Sequence, residues 1–165
     1  RSSDLPKDLA ENVMIVDLVR NDLSRICGAG TVQVPELCKI YTFSHVHQMI
    51  STVIGELKEK TKVMDIIQST FPMGSMTGAP KIEVMKNIEL LEDFNREIYS
   101  GSIGYFFEGN FDLNVVIRSL EYCNRKLKYS VGGAITYDSI AIEEYEECQT
   151  KAAGIFELMN KVKGN

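Results

Sequence analysis

The spacing of hydrophobic positions predicts four helices along the chain. The first is predicted over residues 6–27, where apolar residues recur every three or four positions before a glycine-rich break. Ser3 or Asp4 would cap this helix, and Pro6 is tolerated in a first turn because its missing N–H has no partner there. Three more helices are predicted over residues 63–70, 80–91 and 140–162.

Segments rich in β-branched and aromatic residues predict strands between these helices. TVQV and LCKIYTF lie on either side of Pro35, and a further strand is predicted over residues 45–57. The segments SIGYFFEG, DLNVVIRSLEY and LKYSVGGAIT predict a β-meander with turns at Gly109-Asn110 and Asn124-Arg125. Helices beside runs of antiparallel strands predict an α+β fold of layered antiparallel sheets flanked by helices, with residues 1–165 forming a single domain or part of one.

Charge and composition exclude several classes of protein. The 165 residues carry a net charge of -5, and their lysines and arginines are scattered, which argues against nucleic-acid binding. No apolar run approaches the roughly eighteen residues needed to cross a bilayer. The four cysteines form no C-x-x-C pair, so zinc ligation has no support and a reducing cytoplasm is expected. The polar N-terminus does not resemble a signal peptide, and because the sequence has no initiating methionine we expect a fragment or a trimmed chain.

Two helical segments carry acidic pairs spaced three residues apart: Asp8 with Glu11, and Glu144 with Glu147. On a helix this spacing puts both carboxylates on one face, about one turn apart. Hard divalent cations such as Mg²⁺ prefer oxygen ligands and usually take one or two protein carboxylates together with water. A solvated surface is the alternative, since the second pair belongs to the charged run EEYEE.

The loop FPMGSMTGAPK combines glycines, hydroxyls and the start of a helix. Gly74 and Gly78 give the backbone unusual freedom, and Thr77 supplies a hydroxyl. Pro80 begins a helix whose N-terminal amides suit an anion. The order of glycine, lysine and serine or threonine that defines a Walker A loop is absent. Anion binding and a simple turn into a helix both remain open.

Three further features lie in the second half of the chain. Gly132 and Gly133 leave a strand backbone open to a flat ligand, although a β-bulge also explains such glycines. Arg118 follows the apolar stretch VVI on a predicted central strand, where a buried guanidinium needs a carboxylate from a ligand or from the protein. Tyr99 either donates a phenolic hydrogen bond or packs.

Six ordered segments resemble the chorismate-binding enzymes, which include anthranilate, aminodeoxychorismate, isochorismate and salicylate synthases. The segments are DLAENVMIVDLVRNDLSRI, HVHQMISTVIGEL, FPMGSMTGAPKIEVM, YSGSIGYFFEG, VVIRSLEY and SVGGAITYDSIAIEEYEECQTKA. They occur in the family's order, with similar spacing, over nearly the whole chain. The resemblance implies that the chain is the C-terminal portion of a fold like that of anthranilate synthase component I.

The resemblance also implies a magnesium site formed by carboxylates from both ends of the chain. Glu11 and Glu147 would bind Mg²⁺ directly, and Asp8 and Glu144 would hold metal-bound water. The ion would neutralise the ring carboxylate of chorismate and assist departure of its C4 hydroxyl.

The substrate pocket that the resemblance implies is formed by seven residues. They are Tyr99, Arg118, Gly132, Gly133, Lys151, Thr77 and Gly78. Arg118 and Tyr99 would clamp the enolpyruvyl carboxylate, and Lys151 would complete the anion pocket with the amides of the two adjacent glycines. Lys81, in the glycine loop, is expected to be mainly structural.

The resemblance favours the aminodeoxychorismate synthases within this family. Many anthranilate synthases have a histidine at the position of Gln48, where it is considered to help eliminate pyruvate, whereas aminodeoxychorismate synthases often carry the order found at His47-Gln48. Such an enzyme aminates chorismate with ammonia from a glutamine amidotransferase. The expected nucleophilic lysine and general acid belong to a segment upstream of these residues, so the chain by itself is expected to be inactive. Anthranilate synthase and a non-catalytic chorismate-binding or amidotransferase-docking fragment are the alternatives.

Overall fold

The computed structural model describes residues 5–44 and 47–163, so the proposed caps Ser3 and Asp4 and the predicted strand start at His45 lie outside the described residues. The chain divides into two compact units, Arg1–Asn95 and Arg96–Asn165, which we call the N-terminal unit and the C-terminal unit. The single domain expected over residues 1–165 stays a prediction. In the described chain, no helix is both long and apolar enough to cross a membrane.

The N-terminal unit contains helices and one antiparallel hairpin. Its elements are α1 (Leu5–Ser24), β1 (Gln33–Thr42), β2 (His47–Ile54), α2 (Val63–Thr70), a short 3-10 turn (Gly74–Met76) and α3 (Lys81–Leu91). The three predicted helices are confirmed, and Pro80 caps α3. The two strands predicted around Pro35 are one strand, β1, which pairs with β2 alone. Proline is tolerated there because β1 is an edge strand.

A small core and a buried ion pair hold the N-terminal unit together. Val16, Ile26 and Cys27 are buried. Asp22 of α1 is also buried, and its Oδ2 lies 2.5 Å from Nζ of Lys81 at the start of α3. The backbone carbonyl of Asp22 accepts a hydrogen bond from the Ser69 hydroxyl of α2 at 2.6 Å. One turn of α1 therefore anchors both following helices, which gives Lys81 the structural role expected for it.

The C-terminal unit contains two separate hairpins and a long helix. The hairpins are β3 (Gly104–Phe107) with β4 (Asn110–Leu113), and β5 (Leu120–Cys123) with β6 (Lys126–Tyr129); the helix is α4 (Ala141–Lys163). Helices beside antiparallel pairs confirm the α+β class, but the continuous meander was wrong. Both hairpin turns have positive φ at their two central residues, Glu108-Gly109 and Asn124-Arg125, which suits the right-handed twist of the strands.

The meander is interrupted because the segment after β4 pairs elsewhere. The backbone N–H of Ser100 donates to the carbonyl of Val116 at 2.9 Å, and the N–H of Val116 donates to the carbonyl of Gly101 at 3.0 Å. Val116 is buried. Residues 114–116 therefore run beside residues 100–103, and the segment 114–119 that precedes β5 is not a strand.

Candidate active site

Gly133 lies directly against the acidic first turns of α4. A Cβ built on it would be 3.4 Å from Oε2 of Glu144 and 4.0 Å from Oε1 of Glu147. The strand predicted through SVGGA was wrong, because β6 ends at Tyr129 and both glycines lie in the irregular segment that follows. Glycine at this position lets the backbone approach the two carboxylates closely.

Lys151 joins the glycine segment to α4. Its Nζ lies 2.5 Å from Oε1 of Glu147, one helical turn earlier. The same nitrogen donates to the carbonyl oxygen of Gly132 at 3.2 Å.

Tyr99 also lies close to the glycine segment. Its hydroxyl oxygen would be 2.8 Å from a Cβ built on Gly132, too close for a larger residue without movement of the tyrosine. Four of the other residues assigned to substrate or metal in this unit therefore meet Gly132 or Gly133. They are Tyr99, Glu144, Glu147 and Lys151.

Glu144 is the most buried acid of this cluster, with 6% of its surface exposed. Its Oε1 accepts a hydrogen bond from the Ser139 hydroxyl at 2.6 Å. The Ser139 hydroxyl in turn accepts from the backbone N–H of Thr136 at 3.0 Å. Ser139 therefore orients Glu144, a role that was missed in the sequence, although a serine just before a helix is a recognisable capping signal.

Arg118 does not lie on a buried central strand. It is exposed, in a bend between β4 and β5, with a φ of 50°. The prediction failed because Val116, two residues earlier, pairs with Ser100 and Gly101, so the strand pattern of the segment is broken. That pairing joins the residue after Tyr99 to a residue two positions before Arg118, and a clamp formed by the two side chains stays a prediction.

Asp8 and Glu11 lie on α1 of the N-terminal unit, where they form the predicted helical pair. Asp8 is exposed and Glu11 is half-buried. Oε1 of Glu11 lies 3.8 Å from Nζ of Lys7, four residues earlier. Among the described residues, no group of three or more His, Cys, Asp or Glu side chains is placed to hold a metal ion.

The glycine loop packs against α1. A Cβ on the buried Gly74 would be 2.8 Å from Cδ2 of Leu18. The Thr77 hydroxyl donates to the carbonyl of Met73 at 3.1 Å, and Gly78 has a φ of 151°, which disfavours other residues. An open, largely apolar groove of about 700 Å³ runs along α1 as far as Ala79. The hydroxyl of Thr77 is thus used inside the loop, and its contact with substrate stays a prediction.

Comparison with known proteins identifies the family. The family model for chorismate binding enzymes matches residues 3–157. The chain belongs to the chorismate-binding enzyme family. Its matched region includes the acids of α1, the glycine loop and the Glu144–Lys151 cluster.

Relatives of two activities resemble this member of the family almost equally. It is 44% identical over 156 residues to aminodeoxychorismate synthase component 1 of Escherichia coli strain K12, covering 94% of this chain and 34% of that protein. It is 41% identical over 154 residues to anthranilate synthase component 1 of Aquifex aeolicus, covering 93% of this chain and 31% of that protein. The chain thus spans about a third of the length of these relatives.

A solved structure confirms the fold. The crystal structure of anthranilate synthase component I from Streptococcus pneumoniae TIGR4 matches with a TM-score of 0.82 and 39% identity, covering 92% of this chain and 36% of that one. The predicted likeness to the anthranilate synthase component I fold is therefore correct.

The chemistry of the acidic clusters fits the magnesium ion that the family resemblance implies. All of the assigned metal-binding residues offer carboxylate oxygens, which are hard ligands suited to Mg²⁺. In the C-terminal unit, Ser139 already holds one oxygen of Glu144, as hydrogen-bonded partners commonly do for carboxylates near a metal.

Proposed function

We propose that the full-length protein is aminodeoxychorismate synthase component I, which replaces the 4-hydroxyl of chorismate with an amino group to give 4-amino-4-deoxychorismate for folate synthesis. The observation that carries the chorismate assignment is the cluster around Gly132 and Gly133, where carboxylates, a lysine and a phenol meet an exposed glycine backbone. A relative named aminodeoxychorismate synthase component 1 and one named anthranilate synthase component 1 are both 44% identical to this chain, so the choice between these activities rests on Gln48.

Glu11 and Glu147 would hold Mg²⁺, with Asp8 and Glu144 orienting its water. The bound ion would supply positive charge next to the ring carboxylate of chorismate and so favour departure of the C4 hydroxyl. Glu144 is held in place for this role by Ser139.

Tyr99, Arg118 and Lys151 would bind the carboxylates of the substrate. Tyr99 would donate a phenolic hydrogen bond, and the planar guanidinium of Arg118 would bind a carboxylate with two parallel hydrogen bonds. The carbonyl of Gly132 fixes the ammonium group of Lys151 at 3.2 Å, so this cation is oriented before substrate enters. Orientation before binding reduces the entropy that is lost on binding.

The choice between amination with and without pyruvate release rests on Gln48. This residue is the second of β2, where it pairs with Tyr41 of β1, and it is exposed. Its amide nitrogen lies 3.5 Å from the carbonyl of Met49. A glutamine amide cannot act as an acid or base near neutral pH, whereas an imidazole can. The family resemblance links a histidine at this position with pyruvate elimination, so glutamine favours an enzyme that retains the enolpyruvyl group.

The test is an assay of the full-length protein with chorismate, Mg²⁺ and ammonium, with the product identified by mass. We expect 4-amino-4-deoxychorismate and no pyruvate. Formation of anthranilate and pyruvate would show that the protein is an anthranilate synthase, the activity of the relative from Aquifex aeolicus. Chorismate binding without turnover would instead support the non-catalytic binding module.

The source of ammonia is tested by the same assay. We propose that a glutamine amidotransferase subunit or domain supplies it. Adding glutamine in place of ammonium should then restore turnover only when that partner is present, and turnover with glutamine alone by the isolated protein would contradict a separate partner.

A further inference from the structure

A hydrogen-bonded triad links α1 to the β1–β2 hairpin at the residue next to Glu11. Oδ1 of Asn12 accepts a hydrogen bond from the Ser51 hydroxyl at 2.5 Å and another from the Cys38 thiol at 3.3 Å. The Ser51 hydroxyl also accepts from the backbone N–H of Cys38 at 2.8 Å. All three residues are half-buried, so these bonds are partly shielded from water.

The triad is located at an irregularity of the hairpin. Glu36 pairs with Thr52, and Lys39 pairs with Ile50, so Leu37 and Cys38 together face Ser51 alone. Cys38 adopts a left-handed conformation with a φ of 53°. Two residues facing one is the arrangement of a β-bulge, a feature that commonly re-aims side chains near functional sites.

At the bulge the backbone N–H of Cys38 donates to the hydroxyl of Ser51. The same hydroxyl donates to Asn12 of α1 and so links the hairpin to the helix. A serine hydroxyl can donate one hydrogen bond while it accepts others. Ser51 uses both capacities, since it accepts from the hairpin backbone and donates to the helix. The connection spans 39 residues of sequence and fixes one side chain of α1 against β2.

We propose that Asn12 and Ser51 are positioning residues that set the rotation of α1 and thereby aim the Glu11 carboxylate at the divalent cation. Adjacent residues on a helix differ by about 100° around its axis, so anchoring Asn12 sets the direction in which Glu11 projects. This inference rests on the proposed role of Glu11 as a ligand of Mg²⁺. The hydrogen bonds between Asn12 and Ser51 form without the ion, so the protein itself sets the direction of Glu11.

The experiment measures Mg²⁺ binding by titration calorimetry on the full-length protein without substrate. Ser51→Ala should weaken Mg²⁺ binding about fivefold, the equivalent of one ordinary hydrogen bond. Ser51→Thr keeps the hydroxyl and should restore binding to within about twofold of the original protein, by the same reasoning.

The matched control is Thr52→Val on the adjacent position of the same strand. The Thr52 hydroxyl donates to Oε2 of Glu36 at 3.3 Å, within the hairpin and away from α1. Its removal should lower the unfolding midpoint about as much as Ser51→Ala while leaving the Mg²⁺ affinity unchanged. Equal loss of affinity in the two variants would overturn the proposal, because weakening of the hairpin would then be the cause.

Glu11→Gln separates failure of this inference from failure of the metal assignment. If Glu11→Gln weakens Mg²⁺ binding and Ser51→Ala does not, Glu11 is a ligand but Asn12 and Ser51 do not position it. If Glu11→Gln itself leaves binding unchanged, the metal assignment in the proposed function fails, and the positioning role falls with it.

Discussion

Two buried acids, one in each unit, are held in different ways. Asp22 of the N-terminal unit has 3% of its surface exposed and pairs with the ammonium group of Lys81. Glu144 of the C-terminal unit has 6% exposed and accepts a hydrogen bond from the neutral hydroxyl of Ser139. Asp22 is thereby paired with a lysine that joins two helices, which is a structural arrangement. Glu144 is instead oriented next to the same glycine segment as a second carboxylate, Glu147.

The difference shows that burial of an acid does not by itself indicate function. What distinguishes the two sites is the chemistry of the groups beside each carboxylate. In the N-terminal unit the ammonium group of Lys81 pairs directly with Asp22. In the C-terminal unit the Ser139 hydroxyl contacts Glu144, and Lys151 pairs with the neighbouring acid Glu147. Variants at both sites can test this comparison.

The largest effect is expected at Lys81. Lys81→Met leaves the carboxylate of Asp22 buried without its ammonium partner, and loss of one partner of a buried pair typically costs about 3–5 kcal/mol. Denaturant unfolding of the full-length protein would measure this loss of stability. The double variant Asp22→Leu with Lys81→Met should recover much of it, because no charge is then left buried. A fully stable single variant would contradict a structural ion pair.

Glu147→Gln should weaken Mg²⁺ binding at least about tenfold, since even residues behind the metal ligands commonly contribute that much. Its unfolding midpoint should change little because Glu147 is only half-buried. Calorimetric titration with Mg²⁺ measures the first quantity, and thermal unfolding the second. If Glu147→Gln loses stability but keeps its affinity for Mg²⁺, the role of Glu147 is structural, as for Asp22.

Arg118→Lys should weaken chorismate binding about tenfold, because lysine keeps the charge but lacks the planar fork that holds a carboxylate with two hydrogen bonds. The exposed position of Arg118 predicts an unchanged unfolding midpoint. Binding of chorismate in the presence of Mg²⁺ is the appropriate measurement. Arg125→Lys, in the β5–β6 turn, is a control that removes an arginine outside the site. If Arg118→Lys and Arg125→Lys bind chorismate with equal affinity, Arg118 does not bind the substrate carboxylate.

The smallest effect is expected at the paired glycines, where the position of the added methyl group decides which ligand is affected. Gly133→Ala places its methyl 3.4 Å from Oε2 of Glu144, and Gly132→Ala places one 2.8 Å from the Tyr99 hydroxyl. We expect the first to weaken mainly Mg²⁺ binding and the second mainly chorismate binding, each about threefold to fivefold, as for displacement of one hydrogen-bonded group. Titration of each variant with each ligand would test this. If both variants lose the same affinity for Mg²⁺ and the same affinity for chorismate, the two glycines do not act on different ligands.

Much of the local structure followed from the sequence. The helix over Val63–Thr70 was predicted with its observed bounds, and α3 and α4 each begin one residue later than expected. Positions of this kind depend on proline, capping residues and the spacing of apolar side chains, all of which act over one or two turns. The hairpin turn at Asn124-Arg125 was predicted for the same reason.

The errors occurred where distant residues compete for the same backbone groups. Val116 was assigned to a long strand because its neighbours are β-branched, yet its amide and carbonyl pair with Gly101 and Ser100. Arg118 was consequently placed in the interior, although it lies exposed in a bend. The pattern of side chains does not reveal which partner an extended segment will choose, because strand preference depends on packing in the sheet.

The sequence alone determined the family, the acidic pairs and the presence of a glycine segment near Glu144 and Glu147 in the chain. Only the tertiary structure decided that Gly133 lies against those acids, that Ser139 and Lys151 orient them, and that Asn12 is joined to Ser51 across 39 residues. The physical reason is the range of the interactions. Helical spacing places residues one turn apart by geometry alone, whereas a hydrogen bond between distant segments exists only after the chain has packed.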